Sequence, residues 1–176
     1  MPLCFISIGS NINREHNINS ALDALQYEFG TLKHSSIYES APVGFSGDAF
    51  YNLVSAFHCD EDASDIARQL KAIEAEHGRI RSTEKFSSRT LDIDLLLYGQ
   101  QIIHTEKLTI PHNDILNYAF VLEPLVEIAP NQQHPVNKVN YAQLWSDFDK
   151  SNLQQRKIHH PSSRANGVQP TNLNQP

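Results

Sequence analysis

Hydrophobic positions along the chain switch between a strand period and a helix period, and the switches mark out its elements. Leu3 to Ile8 is a short apolar run that stops at Gly9-Ser10-Asn11, which predicts a strand followed by a turn. Ile18, Ala21, Leu22, Leu25 and Phe29 then recur at helical spacing, and Gly30 closes that helix. Leu32 to Tyr38 and Phe50 to Cys59 read as two more strands. Between them residues 39–49 form a long loop holding Pro42, Gly44 and Gly47, and loops of that length inside a compact domain are often functional. A second helix is expected from Ser64 as N-cap, with Ile66, Ala67, Leu70 and Ile73 on one face and a stop at Gly78. Leu91 to Tyr98 is a further strand, and Gly99-Gln100 turns it back into Gln101 to His104 as a predicted hairpin. Leu108 to His112 leads into a helix from Tyr118 to Ile128 that ends before Pro130, and a last short helix spans Tyr141 to Phe148.

The order βαββαβ is that of a ferredoxin-like α+β core, here extended by a β-hairpin and extra C-terminal helices. That architecture hosts many functions and selects none of them. Residues 1–150 are expected to form one domain. Residues 151–176 are rich in Gln, Asn, Ser and Pro with few large apolar side chains, which predicts a disordered polar tail.

Charge and cysteine usage narrow the function. A net charge of -6 and a pI near 5.8 argue against a general nucleic-acid binder, so any phosphate binding must be local. The chain has neither an apolar run of membrane-spanning length nor a signal-peptide pattern at Met1-Pro2-Leu3. Cys4 and Cys59 fall in apolar strand-like runs, as buried free thiols of a reducing cytosol would. A cytoplasmic monomer is the expectation.

Candidate chemistry concentrates in residues 79–98. Asp92 and Asp94 share one face of a strand, their Cα atoms about 6.6 Å apart at ~3.3 Å per residue. Burying two ionised carboxylates costs several kcal/mol each unless positive charge is supplied. An edge strand with both aspartates in water is the plain alternative. Immediately upstream, Arg79, Arg81, Lys85 and Arg89 crowd into a polar segment. Basic groups that grip phosphate oxygens, beside carboxylates that hold magnesium, compose a polyphosphate site. A solvated charged loop is the plain reading there.

Several separated motifs agree on one family. Gly9-Ser10-Asn11, Pro42-Val43-Gly44 with Phe50-Tyr51-Asn52, Arg89-Thr90-Leu91-Asp92-Ile93-Asp94, and Thr109-Ile110-Pro111-His112 followed by Phe120-Val121-Leu122 resemble the 6-hydroxymethyl-7,8-dihydropterin pyrophosphokinases of folate biosynthesis. The resemblance runs from about Leu3 to Pro130. It implies transfer of pyrophosphate from ATP to the pterin hydroxymethyl group, with AMP leaving and two magnesium ions held by Asp92 and Asp94. It implies further that Arg79 and Arg89 meet the phosphates during transfer. Glu74, Arg81, Phe86, Leu95, Lys107, Thr109 and His112 would bind ATP. Ser40, Val43, Phe50, Asn52 and Phe120 would bind the pterin, Phe50 and Phe120 as a stacking pair.

The chain departs from the family pattern in places. Phe86-Ser87-Ser88 stands where Trp-Gly-Pro or a relative is usual, Tyr118 stands where arginine is common, and Asn113 and Ser82 replace a tyrosine and a lysine of some relatives. These changes leave open a divergent copy that binds ATP or a pterin with low activity or altered specificity. A ferredoxin-like RNA-binding module is the other class to weigh, and the acidic balance and the aspartate pair oppose it.

Overall fold

A computed structural model describes residues 1–78, 90–159 and Pro161. The elements in chain order are β1 (Leu3–Ser10), α1 (Arg14–Phe29), β2 (Lys33–His34), β3 (Ile37–Ser40), β4 (Phe50–His58), α2 (Ala63–Glu76), β5 (Asp92–Tyr98), β6 (Ile103–His104), β7 (Thr109–Ile110), α3 (Asp114–Asn117), α4 (Ala119–Ile128), α5 (Tyr141–Asp147) and β8 (Gln155–His159). The main sheet runs β5-β1-β4-β3-β8 with β2 paired on β4, and all its pairings are antiparallel.

Strand alternation splits the core in two. Ile6 and Ile8 of β1, Leu53 and Phe57 of β4, and Ile93 and Leu95 of β5 face α1 and α2, meeting Ile18, Leu22, Leu25, Ile66, Leu70 and Ile73. Phe5, Val54, Ala56 and Leu96 face the opposite way, against Val121, Leu122 and Leu125 of α4 and Tyr141 of α5. Each fully buried side chain of this size contributes about 1.5–3 kcal/mol. The two-sided burial explains the nearly unbroken apolar runs of β4 and β5.

Four expectations are corrected. The strand Leu32 to Tyr38 breaks at Ser35-Ser36, where the Ser35 hydroxyl accepts the Val54 N–H (3.0 Å) in place of a main-chain carbonyl. Helix α2 starts one residue before Ser64, and its first turn closes on the Asp62 carbonyl. The segment after Gly99 does not return along β5. Ile103 and His104 pair with Ile110 and Thr109, because the free edge of β5 is already met by His112, whose N–H donates to the Leu96 carbonyl (2.9 Å).

The fourth concerns the C-terminal segment. Residues 155–159, expected to be disordered, form β8 on the outer edge of β3. Polar residues suffice there, because the pairing uses main-chain groups and charge. Arg156 donates to Glu39 Oε1 through Nη2 (2.8 Å) and Nε (3.0 Å). Covering the edge also removes a row of unpaired backbone groups. Cys4 and Cys59 are buried and free. No helix among the described residues is long and apolar enough to cross a membrane.

Candidate active site

The site is organised by one row across the sheet. Gly9 of β1 pairs with Asp92 of β5 on one side and Asn52 of β4 on the other, and Asn52 pairs with Tyr38 of β3. Cross-strand partners present their side chains to the same face, so Asp92 and Asn52 flank a glycine and lie two strand spacings, about 10 Å, apart. A Cβ on Gly9 would come within 2.9 Å of Asn52 Oδ1, so only glycine leaves this floor clear. Asn52 is 7% exposed and donates to the Ser40 hydroxyl (2.8 Å), which brings two of the expected pterin residues together.

The turn after β1 secures both halves. Ser10 Oγ donates to the Thr90 carbonyl (2.5 Å), two residues before Asp92. Asn11 Nδ2 donates to the Asp48 carbonyl (3.1 Å) and Arg14 Nη1 to the Ala49 carbonyl (2.7 Å), immediately before Phe50. Arg14 also pairs with Glu39 (2.7 Å) and covers the Tyr51 ring at 4.0 Å. The motif resemblance includes Ser10 and Asn11 without giving them a task; these bonds supply one.

Phe50 belongs to neither core cluster and meets Phe45 edge-on, ring centroids 6.2 Å apart. Phe120 rests against the α4 core and is stacked on Tyr118 at 5.0 Å. The two expected stacking partners are thus held by different neighbours, and Tyr118, a departure from the family pattern, buttresses one of them. Val43 is 43% exposed in the loop above.

On the other side of Gly9, β5 is indeed an edge strand, yet its aspartates are half-buried and engaged. Oxygen atoms of Glu74, Asp92 and Asp94 lie within 4.8 Å of one another. Glu74 is 2% exposed, an unusual place for a carboxylate, and its Oε1 accepts the Ile93 N–H (2.6 Å). Lys71, one helical turn earlier on α2, donates to Glu74 Oε1 (2.9 Å), the Ile93 carbonyl (2.8 Å) and Asp94 Oδ1 (2.9 Å). Burial opposes charge on Lys71, but the carboxylates of Asp94 and Glu74 outweigh it and raise its pKa above the ordinary lysine value. Burial pushes the Glu74 carboxyl upward, against the pull of Lys71 and the Ile93 N–H. Sequence reasoning missed Lys71. A lysine three residues before a glutamate on a helix looks like a solvent-facing pair, and only the burial of Glu74 reveals the difference.

A cavity of about 1320 Å³ opens beside this cluster. Its wall includes Lys71, Asp94, Leu95, Lys107, Thr109 and His112, so four expected ATP residues gather with one of the two expected metal ligands. His112 Nδ1 accepts the Asp114 N–H (3.3 Å), and a ring nitrogen of His112 lies within 4.8 Å of carboxylate oxygens of Asp94 and Asp114. Arg79, Arg81, Phe86 and Arg89 lie outside the described residues. Three carboxylates with hard oxygen donors suit magnesium, and a cavity of this volume beside them suits a nucleotide.

Known proteins similar to this chain identify its family. The family model for 7,8-dihydro-6-hydroxymethylpterin-pyrophosphokinase (HPPK) matches residues 5–130. A 2-amino-4-hydroxy-6-hydroxymethyldihydropteridine pyrophosphokinase of Haemophilus influenzae is 39% identical over 142 residues, covering 76% of this chain and 88% of its own length. The Pseudomonas aeruginosa protein of the same name is 36% identical over 135 residues, covering 74% and 83%. The folic acid synthesis protein fol1 of Pneumocystis carinii is 37% identical, and this chain spans only 20% of its length. The Plasmodium falciparum HPPK-DHPS wild-type crystal structure shares the fold, with a TM-score of 0.71 at 14% identity over 89% of this chain and 44% of that one. The chain belongs to the 7,8-dihydro-6-hydroxymethylpterin-pyrophosphokinase family.

Proposed function

We propose that this chain transfers pyrophosphate from MgATP to the hydroxymethyl group of 6-hydroxymethyl-7,8-dihydropterin, releasing AMP, as a step of folate biosynthesis. The observation that carries this reading is the row Asp92-Gly9-Asn52, in which the carboxylate expected to hold metal and the amide expected to meet the pterin share one face with only a glycine between them. The strand order, with α1 and α2 on one face, supports the ferredoxin-like description of the core.

In this reaction the hydroxymethyl oxygen attacks the β-phosphorus of ATP and gives up its proton. The bond from the β-phosphorus to the α,β-bridging oxygen breaks, AMP leaves with that oxygen, and the hydroxyl proton passes to solvent. Asp92 and Asp94 would hold magnesium, two ions by the family resemblance, which would supply the positive charge that the triphosphate needs. The protein's own part is positioning and charge. Glu74 holds the Ile93 amide and so fixes the strand between the two aspartates. Thr109, Lys107, Leu95 and His112 line the nucleotide cavity. Phe50, Phe120, Asn52, Ser40 and Val43 receive the pterin, ring stacking being worth about 1 kcal/mol beyond area burial. Arg79 and Arg89 take the phosphates, and Arg81 and Phe86 complete the nucleotide pocket. The reading extends to a cytoplasmic monomer.

The test is AMP formation from MgATP with and without the pterin, using Asp92→Asn as the blank. Pterin-dependent AMP release that falls at least about a hundredfold in the variant is expected. Equal AMP release by both proteins would remove the assignment.

A further inference from the structure

Lys71 sits where a cation is needed and is already a cation. Its ammonium has three donors, and all three are used: Glu74 Oε1 at 2.9 Å, Asp94 Oδ1 at 2.9 Å and the Ile93 carbonyl at 2.8 Å. It therefore ties α2 to β5 at the point where the acidic cluster is assembled. It also occupies one oxygen of a carboxylate that would hold a divalent ion.

The contact puts a positive charge where a divalent ion would bind. Oxygen atoms of Glu74, Asp92 and Asp94 lie within 4.8 Å of one another, and the Lys71 ammonium contacts two of the three carboxylates, Glu74 and Asp94. A free divalent ion must approach against the ammonium and compete for Asp94. An ion arriving with a triphosphate meets a site whose added negative charge offsets that repulsion.

We propose that Lys71 is a positioning residue that holds the Asp94 carboxylate in place while keeping the empty site weak for free divalent cations, so that tight ion binding waits for the nucleotide. The inference rests on Asp92 and Asp94 as the ion-holding pair. It adds a residue that makes nucleotide and metal binding mutually dependent. The linkage is reciprocal, so the same ammonium that weakens ion binding alone strengthens the apparent coupling between ion and ATP.

The experiment is Mn2+ titration of the full chain without nucleotide, followed by the electron paramagnetic resonance of the free ion. The wild type, Lys71→Gln, Lys71→Arg and Asp92→Asn are compared, and each is repeated with a non-hydrolysable ATP analogue. Lys71→Gln is expected to bind free Mn2+ about tenfold more tightly than the wild type. Lys71→Arg, which keeps the charge, should stay near the wild type. With the analogue present the gap should narrow. Lys71→Gln binding free Mn2+ no more tightly than the wild type would overturn the inference. The Asp92→Asn arm separates the two readings: if it matches the wild type, the metal assignment fails, and if it loses Mn2+ while Lys71→Gln is unchanged, only the role of Lys71 fails. Should Lys71→Gln not fold, the 15N signal of the wild-type Lys71 ammonium decides. It is expected to shift as Mg2+ is added, and a signal unmoved at saturating Mg2+ would overturn the proposal.

Discussion

Gly9 is the residue on which the two halves of the site meet, and its contribution is the absence of a side chain. Its backbone bonds serve β1 as any residue would, but a methyl group there would push into Asn52 Oδ1 at 2.9 Å. Gly9→Ala is therefore expected to displace the Asn52 amide and to raise the Kd for the pterin about tenfold or more, with ATP affinity little changed. Isothermal titration with each ligand separately would show it, and equal loss for both would mean a general disturbance of the sheet. Phe50 makes a complementary case. It is half-buried and outside both core clusters, so Phe50→Ala should cost little stability while weakening pterin binding far more than ATP binding. A large drop in thermal stability would mark Phe50 as a packing residue.

At the scale of elements, α4 is held to the break between β2 and β3 by one carboxylate. Glu127 accepts from Ser36 N (3.0 Å), Ser36 Oγ (2.8 Å) and Tyr38 OH (2.7 Å), and Lys157 of β8 stands 3.4 Å away. Burial alone would raise its pKa, but the hydrogen bonds from Tyr38 and Ser36 and the nearby Lys157 hold it below the ordinary value of 4.5. A depressed carboxyl stabilises the fold in full above its unfolded pKa, and that stabilisation is lost as pH falls through the folded value. Glu127→Gln should thus cost about 2 kcal/mol near pH ~7, with the deficit shrinking below pH ~4. Urea midpoints of the two proteins at both pH values would check this. A deficit independent of pH would mean that the charge on Glu127 is irrelevant.

At the scale of the molecule, the sheet closes its β3 edge with its own C-terminal strand. The β8 sequence holds one large apolar residue, Ile158, so its hold is main-chain pairing with β3 together with polar contacts: Arg156 to Glu39, Lys157 to Glu127, and Gln155 to Glu123 and the Ala119 carbonyl. Glu39 also receives Arg14, and Arg14 supports the loop before Phe50, so this edge is linked to the pterin side of the site. Ending the chain after Leu153 should lower Tm by several degrees and weaken pterin binding more than ATP binding. Unchanged stability on truncation would show that β8 is dispensable.

The local chemistry of the chain was legible in its order. Periodicity located both helices over the β1–β4–β5 face because an amphipathic pattern reports which face is buried, wherever the partner comes from. The Asp92-Ile93-Asp94 triplet told which carboxylates share a face, because strand alternation is a property of the backbone. Three things were decided only by tertiary structure. A polar segment such as Gln155–His159 becomes a strand when an open edge offers it partners. Ile103-His104 pairs with β7 because His112 has taken the β5 edge. Lys71 enters the acidic cluster because Glu74 is buried. Each depends on a group distant in the chain, and sequence patterns report the burial of a residue's own face while leaving unstated which remote donor or charge will meet it.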